Sequence, residues 1–376
     1  MTWRLPRLGV GLALLLAAGC GSQAAPSAPP VLQVQTAPLA TSLVTAQGTW
    51  AVAVMGGSAT SENSFWQLFV RPTGASRWSL ATPEGVADNG GLVAAGGARG
   101  TSLLVGFRPS QDLTFSPLAT SSDTGKNWTP GLLDADLADV PDAIAVGPSG
   151  RTLALLHDGS IEVAATAAAA TAGQWSRLTT LGALAASAPG RSCGLVAVNA
   201  VSFGQNQDPE AGGSCVRRGV AGVFADNGGT WQAAGPAMPE GFGGDQVQVL
   251  GLATTTEGQA ALLEADGSLL AAWSDGASWT VSAPVTANGI RASGFGPGGS
   301  VWVLLGGGRA QTIAAPGGSW HPLPAVPSGT ATLAPGTGGY DALAVAGSRL
   351  TVWQLGSAGW ASVQAINVPI EYGSSG

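Results

Sequence analysis

The sequence predicts an all-β protein and, within that class, a seven-bladed β-propeller of four-stranded antiparallel blades. Glycine and proline account for 58 and 24 of the 376 residues, too many for a mainly helical protein because both are poor helix-interior residues. Hydrophobic residues make up 45% of the chain and charged residues 10%, a composition that excludes a disordered chain. Tryptophans recur at intervals of 40 to 56 residues, at Trp78, Trp128, Trp175, Trp231, Trp279, Trp320 and Trp360.

The residues before these tryptophans repeat one order of short apolar runs and glycine turns. In the unit that ends at Trp279, the runs are Val249–Ala253, Ala260–Leu263 and Leu269–Trp273. The Asp266-Gly267-Ser268 turn fits a tight hairpin, which needs positive φ angles. A repeat of this length with four strands is typical of propellers, which usually have about four to eight blades. We therefore assign residues 40–376 to the propeller. The alternative, a β-sandwich with tryptophans in its core, does not explain the regular recurrence.

The first twenty residues predict an export signal. Arg4 and Arg7 form a positive segment, Leu8–Leu16 an apolar one, and small residues lead to Cys20, as in secretory signals. The sequence Leu16-Ala17-Ala18-Gly19-Cys20 resembles the bacterial lipobox, although Ala17 stands where leucine is commonest. The resemblance implies that Cys20 is acylated and that the protein is a lipoprotein, lipid-anchored at the extracytoplasmic face of the cell membrane. The alternative is a soluble secretory signal that is cleaved nearby.

Residues 21–39 read as a flexible linker, rich in alanine, serine and proline, that could also supply a ring-closing strand. Beyond Cys20 the chain has two cysteines, Cys193 and Cys215, and an even count in an oxidising compartment favours a disulfide. Two separate buried thiols are the alternative. We expect Cys193 at one end of its blade and Cys215 in a long loop over 204–218, so a bond requires that loop to fold back along the sheet.

The turn before two of the tryptophans carries a motif. Ser121, Asp123, Gly125 and Trp128 match the Asp-box pattern Ser-x-Asp-x-Gly-x-x-Trp, and a second copy keeps Asp226, Gly228 and Trp231. The chain therefore resembles sialidase-like and other BNR-repeat (Asp-box) propellers, in which the box joins the third and fourth strands of a blade. The resemblance implies a structural role, in which the carboxylate accepts turn N–H groups and the glycine supplies positive φ.

We name the strands of a blade A to D in chain order. D-to-A connectors and B–C loops then share one face, the connector face, and A–B turns and Asp boxes share the other, the Asp-box face. Fourteen of the 22 acidic residues fall on the connector face, which suits a cation, a sugar or a basic protein surface. The candidate binding residues on it are Asp134, Asp136, Asp139, Asp142, Asp208, Glu210, Arg217 and Arg218.

The four aspartates between 134 and 142 could also hold Ca²⁺, which prefers clustered oxygen ligands. The segment lacks the glycine and terminal glutamate of an EF-hand loop, so a solvated connector is favoured, and no cofactor or metal is expected. The net charge of −7 without a basic patch argues against nucleic acid as a partner.

The resemblance also raises the question of catalysis. Sialidases use three arginines, a tyrosine nucleophile with a glutamate, and an aspartate acid/base. The two tyrosines, Tyr340 in an A–B turn and Tyr372 in the tail, are not placed for that role, and we assign no catalytic residue. The sequence therefore favours a monomeric, non-catalytic binding or assembly module whose partner is an envelope protein or a glycan. The alternative is a glycan-active hydrolase that uses two carboxylates on the connector face.

Overall fold

The computed structural model describes residues 41–56, 64–83, 92–96, 103–107, 118–130, 141–255, 258–287, 289–314, 316–336 and 338–369. This part of the chain is mostly antiparallel β-sheet, which confirms the all-β prediction. Its strands follow one another in four-stranded units.

The first three units consist of β1 (Ser42–Thr45), β2 (Gly48–Gly56), β3 (Ser64–Pro72) and β4 (Ser79–Leu80); β5 (Leu92–Gly96), β6 (Leu103–Phe107), β7 (Leu118–Ser121) and β8 (Thr129–Pro130); and β9 (Ala143–Val146), β10 (Thr152–Leu155), β11 (Ile161–Ala164) and β12 (Ser176–Thr179). The next two consist of β13 (Leu195–Phe203), β14 (Pro209–Cys215), β15 (Gly222–Asn227) and β16 (Thr230–Ala233); and β17 (Val247–Thr254), β18 (Gln259–Ala265), β19 (Ser268–Ser274) and β20 (Trp279–Val281), after which β21 (Val285–Thr286) pairs with β19. The last two consist of β22 (Ile290–Phe295), β23 (Val301–Leu305), β24 (Arg309–Ile313) and β25 (His321–Pro322); and β26 (Thr330–Gly336), β27 (Gly339–Ala346), β28 (Arg349–Gly356) and β29 (Gly359–Asn367).

Within each unit, every strand pairs with the next one along the chain. The fourth and fifth units join into one sheet because β14 also pairs with β17, through Ser214 and Gln248. The described strands therefore group into seven four-stranded units, which is compatible with the seven predicted blades.

The hydrophobic core lies between neighbouring units. Trp50 and Leu68 of the first unit pack with Leu103 and Val105 of the second, and the same arrangement recurs along the chain. Strand β2 is buried along almost its whole length, because second strands are covered on both faces. Such strands read as continuous apolar runs rather than as alternating ones.

The first unit packs directly against the seventh. The Arg71 guanidinium lies 2.5 Å from the Asp341 carboxylate, and the Trp78 indole N–H donates to the same carboxylate at 2.9 Å. The Gln364 side chain bonds both backbone groups of Trp78, at 2.8 and 2.7 Å. Side chains therefore join the two ends of the propeller, since all four strands of the seventh unit come from residues 330–367. The predicted ring-closing strand within 21–39 lies outside the described residues.

In the part of the chain that the structure describes, three short α-helices depart from the all-strand expectation. They are α1 (Ala167–Thr171), α2 (Leu181–Ala186) and α3 (Ala188–Cys193), and their N-caps are Thr166, Thr180 and Ser187. Each cap side chain accepts a backbone N–H of the first turn, the usual role of serine and threonine at that position. Helices α2 and α3 fill the connector between the third and fourth units.

The predicted loop over 204–218 is wrong. Only a short turn follows β13, and Pro209–Cys215 forms the buried strand β14. A Cβ atom at Gly212 would lie 2.5 Å from a Val249 methyl group, and one at Gly213 would lie 2.1 Å from the Ala197 carbonyl oxygen. Two consecutive glycines in a sequence suggest a loop. Here glycine is used because it has no side chain, which allows β13 and the fifth unit to approach β14 closely.

Candidate functional site

A cavity of ≈ 280 Å³ opens at the centre of the propeller, where the first strands of the units end at the Asp-box face. It is lined by residues of β1, β5, β9, β13, β17 and β22 or of the turns that follow them. The described lining residues are all uncharged, and those with hydroxyl groups are Ser42, Thr45, Ser202, Thr254 and Thr255. Mostly apolar walls with a few polar groups are typical of sites that bind small molecules.

Hydrogen bonds fix one wall of the cavity, where the fourth and fifth units meet. The hydroxyl groups of Ser202 and Thr254 lie 3.2 Å apart. The Thr254 hydroxyl also donates to the Phe203 carbonyl oxygen at 2.6 Å and accepts the Phe203 N–H at 3.3 Å. This seam between units positions two of the five hydroxyl groups of the lining.

A buried carboxyl group lies behind this seam. Glu210 is directly opposite Ser202, and Gln259 is directly opposite Thr254. Facing residues of an antiparallel pair project to the same side of the sheet, so both side chains point into the interface between the two units. Glu210 is 6% exposed, and neither its Oε2 atom nor the Nε2 atom of Gln259 has a hydrogen-bond partner among the described residues. Burial raises the pKa of Glu210 to about 8, and the nearby Asp208 carboxylate adds to the rise.

The residues of the predicted Asp box form a closed turn. The Ser121 hydroxyl donates to Asp123 Oδ1 at 3.0 Å and accepts the Gly125 N–H at 2.9 Å, while the Asn127 N–H donates to the same Oδ1 at 2.9 Å. Gly125 has a φ of +75°. The bond from the Asn127 N–H is the main cause of the lowered pKa of Asp123. This carboxylate is therefore engaged as the acceptor at the centre of its turn.

The second box is built in a similar way. Asp226 Oδ1 accepts the Gly229 N–H at 2.9 Å, and Gly228 has a φ of +61°. In the turn before Trp279, Asp275 accepts two N–H groups, each at 2.9 Å, and these bonds lower its pKa. The same turn design is therefore present in a copy that has diverged in sequence.

Three of the repeated tryptophans bond to the preceding unit. Their indole N–H groups donate to carbonyl oxygens just after the fourth strand of that unit. The pairs are Trp279 with Ala234 (2.6 Å), Trp320 with Ala283 (3.1 Å) and Trp360 with Pro324 (3.1 Å). The indole N–H of Trp128 is also buried but has no partner among the described residues. The repeated position thus packs neighbouring units together.

Replacing Trp279 with phenylalanine is expected to lower the free energy of unfolding by about 1 kcal/mol more than the same change at Trp128. Both changes remove an indole, but only the first removes a hydrogen bond and leaves the Ala234 carbonyl unpaired. Denaturant midpoints of the two variants test this difference. Equal losses at the two positions would contradict the role of the interunit bond.

The structure separates the predicted binding residues. Asp142, Arg217 and Arg218 lie on the connector face, whereas Asp208 and Glu210 lie at the Asp-box face because β14 replaces the predicted loop. Asp134, Asp136 and Asp139 are outside the described residues. The predicted assembly of Asp208 and Glu210 on one face with Asp142, Arg217 and Arg218 is therefore wrong.

The described part of the connector face is not acidic. Its loops and strand ends carry six acidic residues and six arginines, namely Asp142, Asp158, Glu240, Asp245, Glu264 and Asp266 with Arg191, Arg217, Arg218, Arg291, Arg309 and Arg349. Asp208 and Glu210, which are predicted for this face, belong to the other face. Other acidic residues that are predicted for it lie outside the described residues. Among the described residues, no cluster of histidine, cysteine, aspartate or glutamate could hold a metal ion.

Cys193 and Cys215 form a disulfide with a Cα–Cα distance of 5.3 Å. Cys215 ends β14 directly opposite Leu195 at the start of β13, and Cys193 ends α3 two residues earlier. No loop has to fold back, contrary to our expectation. A bond with this sequence separation of 22 contributes about 3 kcal/mol in the loop-closure model.

Cys20 and the rest of the predicted signal lie outside the described residues. No helix in the described part of the chain is long and apolar enough to cross a membrane.

The four-stranded units around a central cavity define this protein as a β-propeller, and solved structures share that fold. A protein from Lactobacillus plantarum is 14% identical over 86% of this chain and 97% of its own, with a TM-score of 0.52. A putative 6-phosphogluconolactonase from Bacteroides fragilis is 13% identical over 86% and 96%, with a TM-score of 0.52. YCF48 from Cyanidioschyzon merolae is 17% identical over 85% and 93%, with a TM-score of 0.45. No protein-family model and no curated protein matches the sequence. At such identities the likeness to the first two structures shows the fold alone, and the likeness to YCF48, with its lower TM-score, carries no argument.

Proposed function

We propose that this propeller is a non-catalytic binding module whose ligand occupies the cavity at the Asp-box face. The observation that carries the proposal is the cavity itself, which is lined by uncharged residues of six first strands and of the turns that follow them. The proposed binding site lies on the face opposite to the one that the sequence favoured.

The lining defines the class of ligand. Its residues are uncharged, and most of them are apolar. A charged ligand would lose hydration without gaining an ion pair from the described lining. The ligand is therefore an uncharged group, such as the sugar of an envelope glycan or a neutral segment of an envelope protein. We assign the Asp boxes a structural role in the propeller, without sialidase chemistry.

The second part of the proposal concerns location. Acylation of Cys20 tethers the propeller to the extracytoplasmic face of the membrane. The Cys193–Cys215 disulfide supports this assignment, because structural disulfides persist in oxidising compartments.

Filling the cavity is expected to weaken ligand binding more than about tenfold, because Ala253 lines it and a phenylalanine there takes up the space of the ligand. The matched control is Ala361→Phe, on the exposed outer strand β29. Both variants and the wild type are screened against uncharged oligosaccharides and against neutral peptides, with product analysis of every oligosaccharide.

If Ala253→Phe binds the ligand as tightly as the wild type does, the cavity is not the binding site. Hydrolysis of any oligosaccharide would contradict the non-catalytic proposal and would favour a glycan-active hydrolase that uses accessible carboxylates.

The tether has its own test. Cys20→Ala is expected to move the protein from the membrane fraction to the soluble fraction, because acylation is the proposed anchor. Fractionation of cells after a salt wash measures this shift. A variant that stays firmly in the membrane fraction would contradict the lipoprotein assignment.

A further inference from the structure

An exposed patch of mixed character lies on the connector face of the fourth unit. We name it the basic–apolar patch; it consists of Arg191, Val196, Val216, Arg217 and Arg218. Val216 is 57% exposed and Val196 is 38% exposed, and the three arginines are exposed as well. Few large hydrophobic side chains in the described part of the chain are exposed, and two of them lie here.

The backbone beneath the patch is firmly held. The Cys193–Cys215 disulfide joins its two segments. The Val216 N–H donates to the Gly194 carbonyl oxygen, and the Arg217 N–H donates to that of Cys193, both at 2.9 Å. The patch is therefore presented on a rigid base, which lowers the entropic cost of binding.

The charge of the patch is only partly compensated. Arg218 lies 3.8 Å from the Asp266 carboxylate, and Asp245 lies nearby, since its carbonyl oxygen accepts the Gly219 N–H at 2.7 Å. Arg191 and Arg217 form no ion pair with a described residue. Arg191 also donates to the Ala186 carbonyl oxygen, which does not neutralise its charge. Two arginines without a described acidic partner beside two exposed valines suit a surface that is both anionic and apolar.

We propose that the basic–apolar patch docks onto an anionic lipid surface, with Arg191 and Arg217 at the headgroups and Val216 inserted between them. Arginine near an anionic membrane gains electrostatic attraction, and a shallow apolar side chain adds to it. The inference rests on the proposed tether in one respect. The chain enters β1 at Ser42 on the connector face, and the 20 residues between Cys20 and Thr41 span at most about 70 Å. The tether therefore lets this face reach the membrane.

The test uses the Cys20→Ala chain, which cannot be acylated, and vesicles of phosphatidylglycerol and phosphatidylcholine in equal parts or of phosphatidylcholine alone. We expect co-sedimentation with the anionic vesicles only, weakening as salt rises. Arg191→Gln with Arg217→Gln should bind about 25-fold more weakly, since each arginine contributes about fivefold. The matched control removes the same charge from the opposite face, with Arg77→Gln and Lys126→Gln, and should bind like the parent. Val216→Ser should also weaken binding, and unchanged thermal midpoints show that these variants fold.

Equal binding to both kinds of vesicle, or equal binding by the two double variants, would overturn the proposal. Capture of poly-glutamate without capture of anionic vesicles would also overturn it, in favour of an acidic protein partner. No chain in this test carries a lipid, so a negative result would contradict the docking proposal without bearing on the acylation of Cys20. Likewise, Ala253→Phe in the cavity should leave vesicle binding unchanged.

Discussion

Replacing Asp341 with alanine is expected to lower the free energy of unfolding by about 3–5 kcal/mol, because it leaves a buried arginine without its counter-ion. The side chains of Arg71 and Asp341 are 8% and 3% exposed, and their ion pair joins the first unit to the seventh. The same change removes the acceptor of the Trp78 indole N–H. Urea denaturation measures the loss.

The matched control is Glu162→Ala. Glu162 is as buried as Asp341, at 3% exposure, but its partner Arg177 is 58% exposed and keeps its hydration when the carboxylate is removed. The loss should therefore be clearly smaller. Replacing both partners, with Arg71→Met and Asp341→Leu, should recover most of the stability, since a buried pair can often be exchanged for apolar side chains. Equal losses in the Asp341 and Glu162 variants would show that the joint between the two units does not depend on this pair.

The fold could be predicted because its signals are local and repeated. Each unit brings its own tryptophan and glycine turn, and the structure uses them in the same way in successive units, as with the bonds of Trp279, Trp320 and Trp360 to the unit before. Several weak copies of the repeated motif, when they agree in spacing, predict the fold even though individual copies have diverged in sequence. The Asp275 turn keeps its hydrogen bonds although its sequence departs from the motif.

The binding site could not be predicted in the same way. The cavity is lined by short stretches of the chain between Ser42 and Gly298, and no stretch is unusual by itself. A serine or threonine at the end of a first strand becomes part of a site only when the units surround a common axis. Strand β14 was missed for a different reason. Glycines normally weaken a strand, but at Gly212 and Gly213 they are required by the close approach of neighbouring backbone and side chains.

The partner of Arg71 also could not be predicted from the sequence. Arg71 and Asp341 are 270 residues apart, and a single sequence carries no signal that links them. Their neighbours in the sequence are ordinary strand residues. Only closure of the propeller brings the two charges together, and burial then makes the pair important.

Glu210 leads to the second large effect, which depends on pH. Its raised pKa of about 8 means that the folded protein keeps this proton at pH values where the unfolded chain, with a pKa near 4.5, has released it. The folded state then binds more protons than the unfolded state, so stability falls as pH rises between these two values. The expected loss amounts to about 5 kcal/mol at most, from a difference of about 3.5 pKa units at about 1.4 kcal/mol each.

Glu210→Gln should remove this loss, because glutamine has the shape of the neutral carboxyl group and does not ionise. The variant is expected to match the wild type near pH 5 and to be more stable by several kcal/mol near pH 9. Asp275→Asn serves as the control, since Asp275 is exposed and its lowered pKa places its titration below this range. The free energies of unfolding are measured by urea denaturation at intervals between pH 5 and 9. Groups that titrate in both proteins cancel in the difference between the two curves. Parallel curves for the wild type and Glu210→Gln would show that Glu210 is ionised throughout this pH range.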